Sequence, residues 1–253
     1  MKIIVTMGRG GTGKTSFVSL MADYFISRGD APLLLVDLDP DQNLGEMIGV
    51  DLEAEGRKTV AELLEDTFIG KGGTTFGVAP SERIEHRIWR DGLYEGTKFD
   101  FLALGTKWVE GCYCMPDAAL RDALSRLTKQ YKYVLIDAPG GLEHLNRRVT
   151  ADVDDIFDVI GPSSKSFAHL LRARRVAEES GVRWKNFSSI GGFLFPEELG
   201  IRAREMEDIR YLGRISFDEE VSRRVIDGVS LLGMPPDLPG PSSVRSILNA
   251  AGY

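Results

Sequence analysis

Short apolar runs alternate along the chain with longer stretches whose apolar positions recur at helical spacing. The run at 32–39 (PLLLVDLD) is continuous rather than alternating, which is typical of a parallel strand buried on both faces. Between 13 and 29, by contrast, Phe17, Leu20 and Met21 follow the period of an α-helix. These two patterns predict strands at 2–7, 32–39, 99–105, 131–138, 156–162, 188–195 and 208–216, and helices at 13–29, 59–65, 116–131, 166–180, 218–227 and 243–251.

This order of elements predicts an α/β fold with a mostly parallel central sheet and helices on both faces. No repeat, low-complexity tract or linker divides the sequence, so we expect residues 1–253 to form a single domain. The stretch near 66–98 is the least regular part, and we interpret it as an insertion between sheet elements.

Composition narrows the class of protein. The chain has 253 residues, of which 43% are hydrophobic and 27% charged, as in ordinary globular proteins. Its net charge of -7 argues against nucleic acid and anionic membranes as partners. The first ten residues, MKIIVTMGRG, are too short an apolar segment for a signal peptide or a membrane span. We therefore expect a cytoplasmic protein, in which disulfides are uncommon.

The segment GRGGTGKT, at 8–15, fits the pattern G-x-x-x-x-G-K-[ST]. It follows a predicted strand and opens a predicted helix, which is the context of a nucleotide-binding phosphate loop. Backbone N–H groups of such a loop surround phosphate oxygens at the positive end of a helix. We expect Lys14 to reach the β- and γ-phosphates and Thr15 to bind Mg²⁺. The predicted loop comprises Gly8, Arg9, Gly10, Gly11, Thr12, Gly13, Lys14, Thr15 and Ser16.

Carboxylates follow two other predicted strands. Asp137 ends the run YVLID, and Asp37 and Asp39 end the strand at 32–39. Carboxyl ends of parallel strands face the crevice in which ligands bind, so these side chains are candidates to hold magnesium or orient water. We place Asp137 and Asp37 on the magnesium side.

The two cysteines of the chain, Cys112 and Cys114, are separated by one residue. Cysteines this close rarely bridge to each other, because the ring would be strained. Incidental thiols, a redox pair and metal ligands remain as interpretations. Gly111 before them and Pro116 after them indicate an exposed loop, which favours a functional site.

Together these motifs resemble the deviant Walker A ATPases, the family of the nitrogenase iron protein and of the MinD and ParA positioning ATPases. Its G-K-G-G-x-G-K-[ST] loop and D-x-D-P segment match GRGGTGKT and the DLDP at 37–40. The resemblance implies a P-loop NTPase that hydrolyses ATP as a homodimer. It also implies that Arg9, in the place of a lysine, contacts the partner's nucleotide. In the same way Asp39 would orient the attacking water and Asp137 would lie on the magnesium side.

Within that family, the strings at 137–145 and 102–124 resemble the CooC-type ATPases that mature carbon monoxide dehydrogenase. Two thiolates from each of two chains would make one four-coordinate site, suited to Zn²⁺, Ni²⁺ or an iron–sulfur cluster. The resemblance implies a metallochaperone that binds metal through Cys112 and Cys114 of both subunits. It implies delivery of nickel to carbon monoxide dehydrogenase or a related client metalloenzyme.

Two other functions stay open. One is a MinD- or ParA-type positioning ATPase without metal, and the other is an electron-transfer ATPase like the nitrogenase iron protein. The segment 235–253 lacks a basic amphipathic helix, which argues against membrane positioning. The segment 137–145 lacks the cysteine of the iron protein. Relatives often read adenine with an asparagine after a late strand, and the stretch 188–198 ends without one, so base recognition is left open.

Overall fold

A computed structural model describes residues 1–68, 80–105, 114–140 and 152–253. These residues form the predicted α/β fold around an eight-stranded sheet, in which each pair of neighbouring strands is parallel except one at the edge. The strands are β1 (Lys2–Met7), β2 (Leu33–Asp37), β3 (Tyr94–Glu95), β4 (Asp100–Ala103), β5 (Tyr133–Asp137), β6 (Asp152–Ile160), β7 (Arg183–Gly191) and β8 (Arg210–Arg214). Their spatial order is β3-β4-β2-β5-β1-β6-β7-β8, with β3 antiparallel to β4.

Helices connect the strands and cover both faces of the sheet. A π-helical turn at 88–92 and a 3₁₀ turn at 128–130 accompany them. The helices are α1 (Lys14–Ser27), α2 (Asn43–Ile48), α3 (Val60–Phe68), α4 (Pro80–Arg87), α5 (Cys114–Leu127), α6 (Ser164–Glu179), α7 (Leu199–Arg204), α8 (Glu219–Ile226) and α9 (Pro239–Ala251).

Two apolar layers sandwich the sheet, and consecutive residues of the central strand β1 alternate between them. Ile4 packs in the layer formed with α1, α2, α8 and α9. Ile3 and Val5 pack in the opposite layer, formed with α3 to α7. A strand buried on both faces needs an unbroken apolar run, which is why β1, β2 and β5 are so easily found in the sequence.

The strand register brings the predicted site residues to one edge of the sheet. Asp37 of β2 lies opposite Asp137 of β5, and Thr6 of β1 lies opposite the same Asp137. All three side chains are fully buried. The loop after β1 therefore starts beside two carboxylates.

Several elements differ from the prediction. The short helices α2 and α7 have no clear apolar period, and α4 with the π-helical turn lies in the stretch 66–98 that we interpreted as an irregular insertion. β6 begins at Asp152 rather than at 156, because polar residues at its start pair with β7 instead of the core. Arg183 Nη2 lies 2.8 Å from Asp152 Oδ2, and Lys185 Nζ lies 2.6 Å from Asp154 Oδ1.

Candidate functional site

The segment 8–13 joins β1 to α1 and has the backbone of a phosphate loop. Gly8 has a φ of 142°, and a methyl group there would come within 2.4 Å of the Val159 carbonyl oxygen. Gly13 caps α1 with a φ of 94°. Both positions exclude side chains, so the loop can follow the tight path that leaves the first N–H groups of α1 free to bind an anion.

Lys14 is buried at the start of α1 and faces Asp39. Its Nζ lies 3.8 Å from Asp39 Oδ2. Asp39 is in turn fixed by Asp37, whose carboxylate accepts hydrogen bonds from the backbone N–H of Asp39 at 2.9 Å and of Leu44 at 3.0 Å. Asp37 thus ties the loop after β2 and the start of α2 to the end of the sheet.

The two neighbouring buried carboxylates carry strongly shifted pKa values. Burial, followed by the charge of Asp137, raises the pKa of Asp37 to about 8. Burial raises the pKa of Asp137 to about 6, although Thr15 and Lys14 lower it in part. Neither carboxylate oxygen of Asp137 has a hydrogen-bond partner among the described residues. A buried carboxylate in this state favours a cation beside it.

A cavity of about 450 Å³ opens over the loop, between Lys14 and Thr15 on one side and Asp39 on the other. Its far wall is apolar and consists of Met47, Phe193, Val221, Val225 and Ile226. The Phe193 ring lies against the loop: a methyl group on Gly13 would come within 2.5 Å of Phe193 Cε2. The sequence did not predict that Met47, Phe193 and Ile226 line this cavity, because isolated apolar residues after a strand and in short helices carry no chemical signature.

Arg9 lines a different cavity on the other side of the loop. That cavity, of about 440 Å³, is bounded by Gly161, Pro162 and the exposed Leu194. The Arg9 side chain is exposed, and it forms no ion pair within the described parts of the chain. Its position separates it from the lysine and carboxylates that surround the first cavity.

Two further residues near the loop were not singled out from the sequence. Asp158 of β6 is fully buried, its carboxylate oxygens have no hydrogen-bond partner among the residues described, and burial raises its pKa to about 7. His169 is half-buried. A methyl group on Gly140 would lie 3.8 Å from His169 Cε1, so this histidine sits beside the end of the β5 segment.

Part of the predicted site falls outside the described residues. Cys112 lies outside them, and Cys114 is the first residue of α5. Over the described ranges, no group of three or more His, Cys, Asp or Glu residues is arranged to hold a metal ion. Within the same ranges, no helix is both long and apolar enough to cross a membrane.

Comparisons with known proteins agree with this geometry. The chain is 30% identical to an uncharacterized ATP-binding protein of Methanocaldococcus jannaschii over 237 residues, which cover 92% of this chain and 91% of that protein. It is 29% identical to the carbon monoxide dehydrogenase accessory protein CooC of Rhodospirillum rubrum over 247 residues, which cover 93% and 91% of the two chains.

Solved structures share the fold. The cell division ATPase MinD of Pyrococcus furiosus superimposes with a TM-score of 0.69 at 20% identity, over 99% of this chain and 98% of that one. A putative plasmid partition protein of Borrelia burgdorferi, bound to AMPPNP, gives 0.71 at 16% identity over 99% and 98%. The family model described as an AAA domain, AAA_31, matches residues 1–169. Among the solved structures that share the fold, MinD of Pyrococcus horikoshii is complexed with Mg-ADP. The chain itself belongs to the AAA_31 family of P-loop ATPases.

Proposed function

We propose that this ATPase is a metallochaperone: it dimerises with bound nucleotide, binds one metal ion through the C-x-C motif of each subunit, and delivers nickel to carbon monoxide dehydrogenase or a related metalloenzyme. The observation that carries the proposal is the pair Cys112 and Cys114, in a chain 29% identical over 93% of its length to a carbon monoxide dehydrogenase accessory protein. We further propose that residues 1–253 act as one domain.

In this proposal residues 8–16 bind the phosphates, and Lys14 neutralises the charge of the transferred phosphoryl group. Asp39 is the residue that orients the attacking water. Its support is the 3.8 Å distance between Asp39 Oδ2 and the Nζ of Lys14, the residue that we expect to reach the γ-phosphate. Asp37 fixes Asp39 through the backbone hydrogen bond, so an intact Asp37 is needed for that orientation.

The magnesium side consists of Thr15, Asp137 and Asp37. Asp137 fits this role best, because a buried carboxylate with two unpartnered oxygens, beside the Thr15 hydroxyl, offers oxygen ligands that Mg²⁺ prefers. Asp37 is second, since its oxygens already accept two backbone hydrogen bonds. Bound Mg²⁺ supplies charge neutralisation to the phosphates, and the two carboxylates hold it at the end of the sheet.

Arg9 acts on the partner's nucleotide in this proposal. The support is its exposure and its place in a cavity separate from the one that Lys14 and Asp39 surround. A guanidinium with no ion pair of its own among the described residues is free to form a bidentate contact with a phosphate of a facing subunit.

The base is held against the apolar wall rather than by an amide of the late strand. Phe193 presents a ring at the edge of the cavity, and Val225 and Ile226 are exposed on α8 beside it. Every purine has a flat face that stacks on such a ring. We therefore expect modest discrimination between ATP and GTP.

Metal analysis of the purified protein, with and without an ATP analogue, tests the proposal. Nickel or zinc at about one ion per two chains, lost in Cys112→Ser, supports the metallochaperone. A brown protein containing iron would instead support an electron-transfer ATPase. Absence of metal under each condition would leave the positioning ATPase, for which the present support is the shared fold with MinD and the partition protein.

A further inference from the structure

A third cavity lies at the opposite end of the sheet from the phosphate loop, beside an incompletely paired strand. β7 pairs with β6 from Arg183 onwards, but β8 joins β7 only from Ser188. The outer edge of 184–187 therefore has no neighbouring strand among the described residues, over about 13 Å. Unpaired N–H and C=O groups at such an edge are a template for another strand.

The cavity beside this edge, of about 620 Å³, is rich in cations. Arg174, Lys185, Arg204 and Arg210 line it, against the carboxylates of Asp155 and Asp208. The Asp155 carboxylate already accepts hydrogen bonds from Asn186 and Tyr253. Arg174 is paired with Glu178 and Asp208, and Lys185 is paired with Asp154, so the positive charge that the groove can offer a ligand comes from Arg204 and Arg210.

Two of these cations, Arg204 and Arg210, are available to an acidic ligand. Arg204 lies over the ring of Tyr211, at 5.6 Å from its centroid, and Arg210 is exposed. Neither forms an ion pair with any residue that the structure describes. Between them the cavity exposes apolar surface of Trp184 and Met206. A strand edge, free guanidinium groups and apolar surface occur here together.

We propose that this groove binds an extended acidic peptide segment of a partner protein as an added strand beside β7. Backbone groups of the peptide pair with 184–187, alternate acidic side chains meet Arg204 and Arg210, and alternate apolar side chains contact Trp184. Nucleic acid fits less well, because it has no backbone to complete the strand edge and the chain as a whole is acidic. The proposal does not depend on the metal function.

Fluorescence anisotropy of a labelled peptide of about eight residues, with alternating glutamate and valine and capped ends, tests this site. We expect binding that weakens as salt is raised, and weaker binding by at least about tenfold to Arg210→Glu. Arg121→Glu makes the same charge change at an exposed arginine of α5 outside the groove, and it should bind as the wild type does. Nucleotide hydrolysis by both variants should be unchanged.

Two methylated peptides, a lysine–valine peptide and a single-stranded oligothymidine serve as comparison ligands. N-methylation at alternate residues of the peptide should abolish binding in one of the two alternating sets and spare it in the other, since only one set faces β7. Equal binding of both sets would overturn the strand pairing. Equal binding of a lysine–valine peptide, equal loss in the two arginine variants, or tighter binding of a single-stranded oligothymidine at the groove would each overturn the acidic-peptide assignment.

Discussion

Lys14 is a buried cation whose Nζ lies 3.8 Å from Asp39 Oδ2. It is the first residue of α1 and lines the cavity over the phosphate loop. In the proposed mechanism, Lys14→Ala removes the ammonium group that neutralises charge on the transferred phosphoryl group. We expect hydrolysis to fall by about a hundredfold or more, as when other preorganised charge-stabilising groups are removed. A phosphate-release assay measures this, with Lys129→Ala at an exposed position as the control. Persistent turnover in Lys14→Ala would contradict the assignment of the phosphate loop.

Phe193 tests how the base is held. Phe193→Ala should weaken ATP binding by about five- to a hundredfold, because loss of one aromatic stacking partner costs about 1–3 kcal/mol. Binding of inorganic tripolyphosphate should stay unchanged, since in our proposal the ring stacks on the base and does not touch the phosphates. Leu194→Ala is the matched control: it is the next residue, but it lines the Arg9 cavity instead. Equal weakening of ATP and tripolyphosphate would show that Phe193 merely supports the loop at Gly13.

Asp158 makes the free energy of unfolding depend on pH. Its carboxyl ionises near pH 4 when unfolded, whereas burial raises its pKa to about 7 in the folded chain. The folded state therefore holds the proton more tightly, and the free energy of unfolding falls as pH rises from about 4 to about 7. The shift of about three units corresponds to about 4 kcal/mol in total.

Asp158→Asn removes that titration, so the variant should gain stability relative to the wild type by about 3 kcal/mol between pH 5 and pH 8. Urea unfolding at the two pH values measures the change. Asp122→Asn, at an exposed carboxyl of α5, should show no comparable gain. A stability difference between Asp158→Asn and the wild type that is the same at both pH values would contradict the role given to burial.

At the scale of single residues, sequence pattern identifies groups whose chemistry has a fixed spacing. Gly8, Lys14 and Thr15 belong to such a pattern, and they lie at the predicted turn from β1 into α1. Phe193 and Asp158 belong to no such pattern, because their roles depend on contacts with residues distant in sequence. The ring matters since it rests on Gly13, and the carboxylate matters since β6 packs its side chain out of water.

Among the elements, α8 depends on one capping side chain. Asp218 Oδ1 accepts hydrogen bonds from the backbone N–H of Glu220 at 2.9 Å and of Val221 at 3.2 Å, and Oδ2 accepts one from Gly240 at 2.8 Å. The same carboxylate therefore starts α8 and ties it to α9. α8 in turn carries Val225 and Ile226 of the nucleotide cavity.

Asp218→Ala should lower the free energy of unfolding by about 1–3 kcal/mol, through the lost cap and the buried N–H groups left unpaired. Thermal or urea unfolding measures this. Asp237→Ala, an exposed aspartate in the same C-terminal region, is the control and should change stability little. An equally small effect in both variants would mean that α8 is held by its packing alone.

Elements were predictable where one physical signal was strong. β1, β2 and β5 are unbroken apolar runs, so both their existence and their parallel pairing followed from the sequence. The start of β6 was not predictable. Asp152 and Asp154 are typical of loops, and only the folded chain shows their ion pairs with Arg183 and Lys185 of β7. A cross-strand ion pair depends on register, which a single sequence does not specify.

At the scale of the whole molecule, two ends of one sheet are proposed to serve different partners. In the proposed function, the carboxyl ends of the strands hold the nucleotide and, through Arg9, contact a second copy of the chain. The amino end of β7 offers an acidic peptide a strand edge and two guanidinium groups. A client could therefore bind without covering the site of hydrolysis.

The central claim is that nucleotide brings two copies together so that four thiolates surround one metal ion. Native mass spectrometry with Ni²⁺ and a non-hydrolysable ATP analogue measures chains, nucleotides and metal in a single particle. We predict a dimer with two nucleotides and one nickel ion, and a dimer without nickel for Cys112→Ser and Cys114→Ser. Nickel bound to single chains without nucleotide, or retained by the dimers of both cysteine variants, would contradict the account.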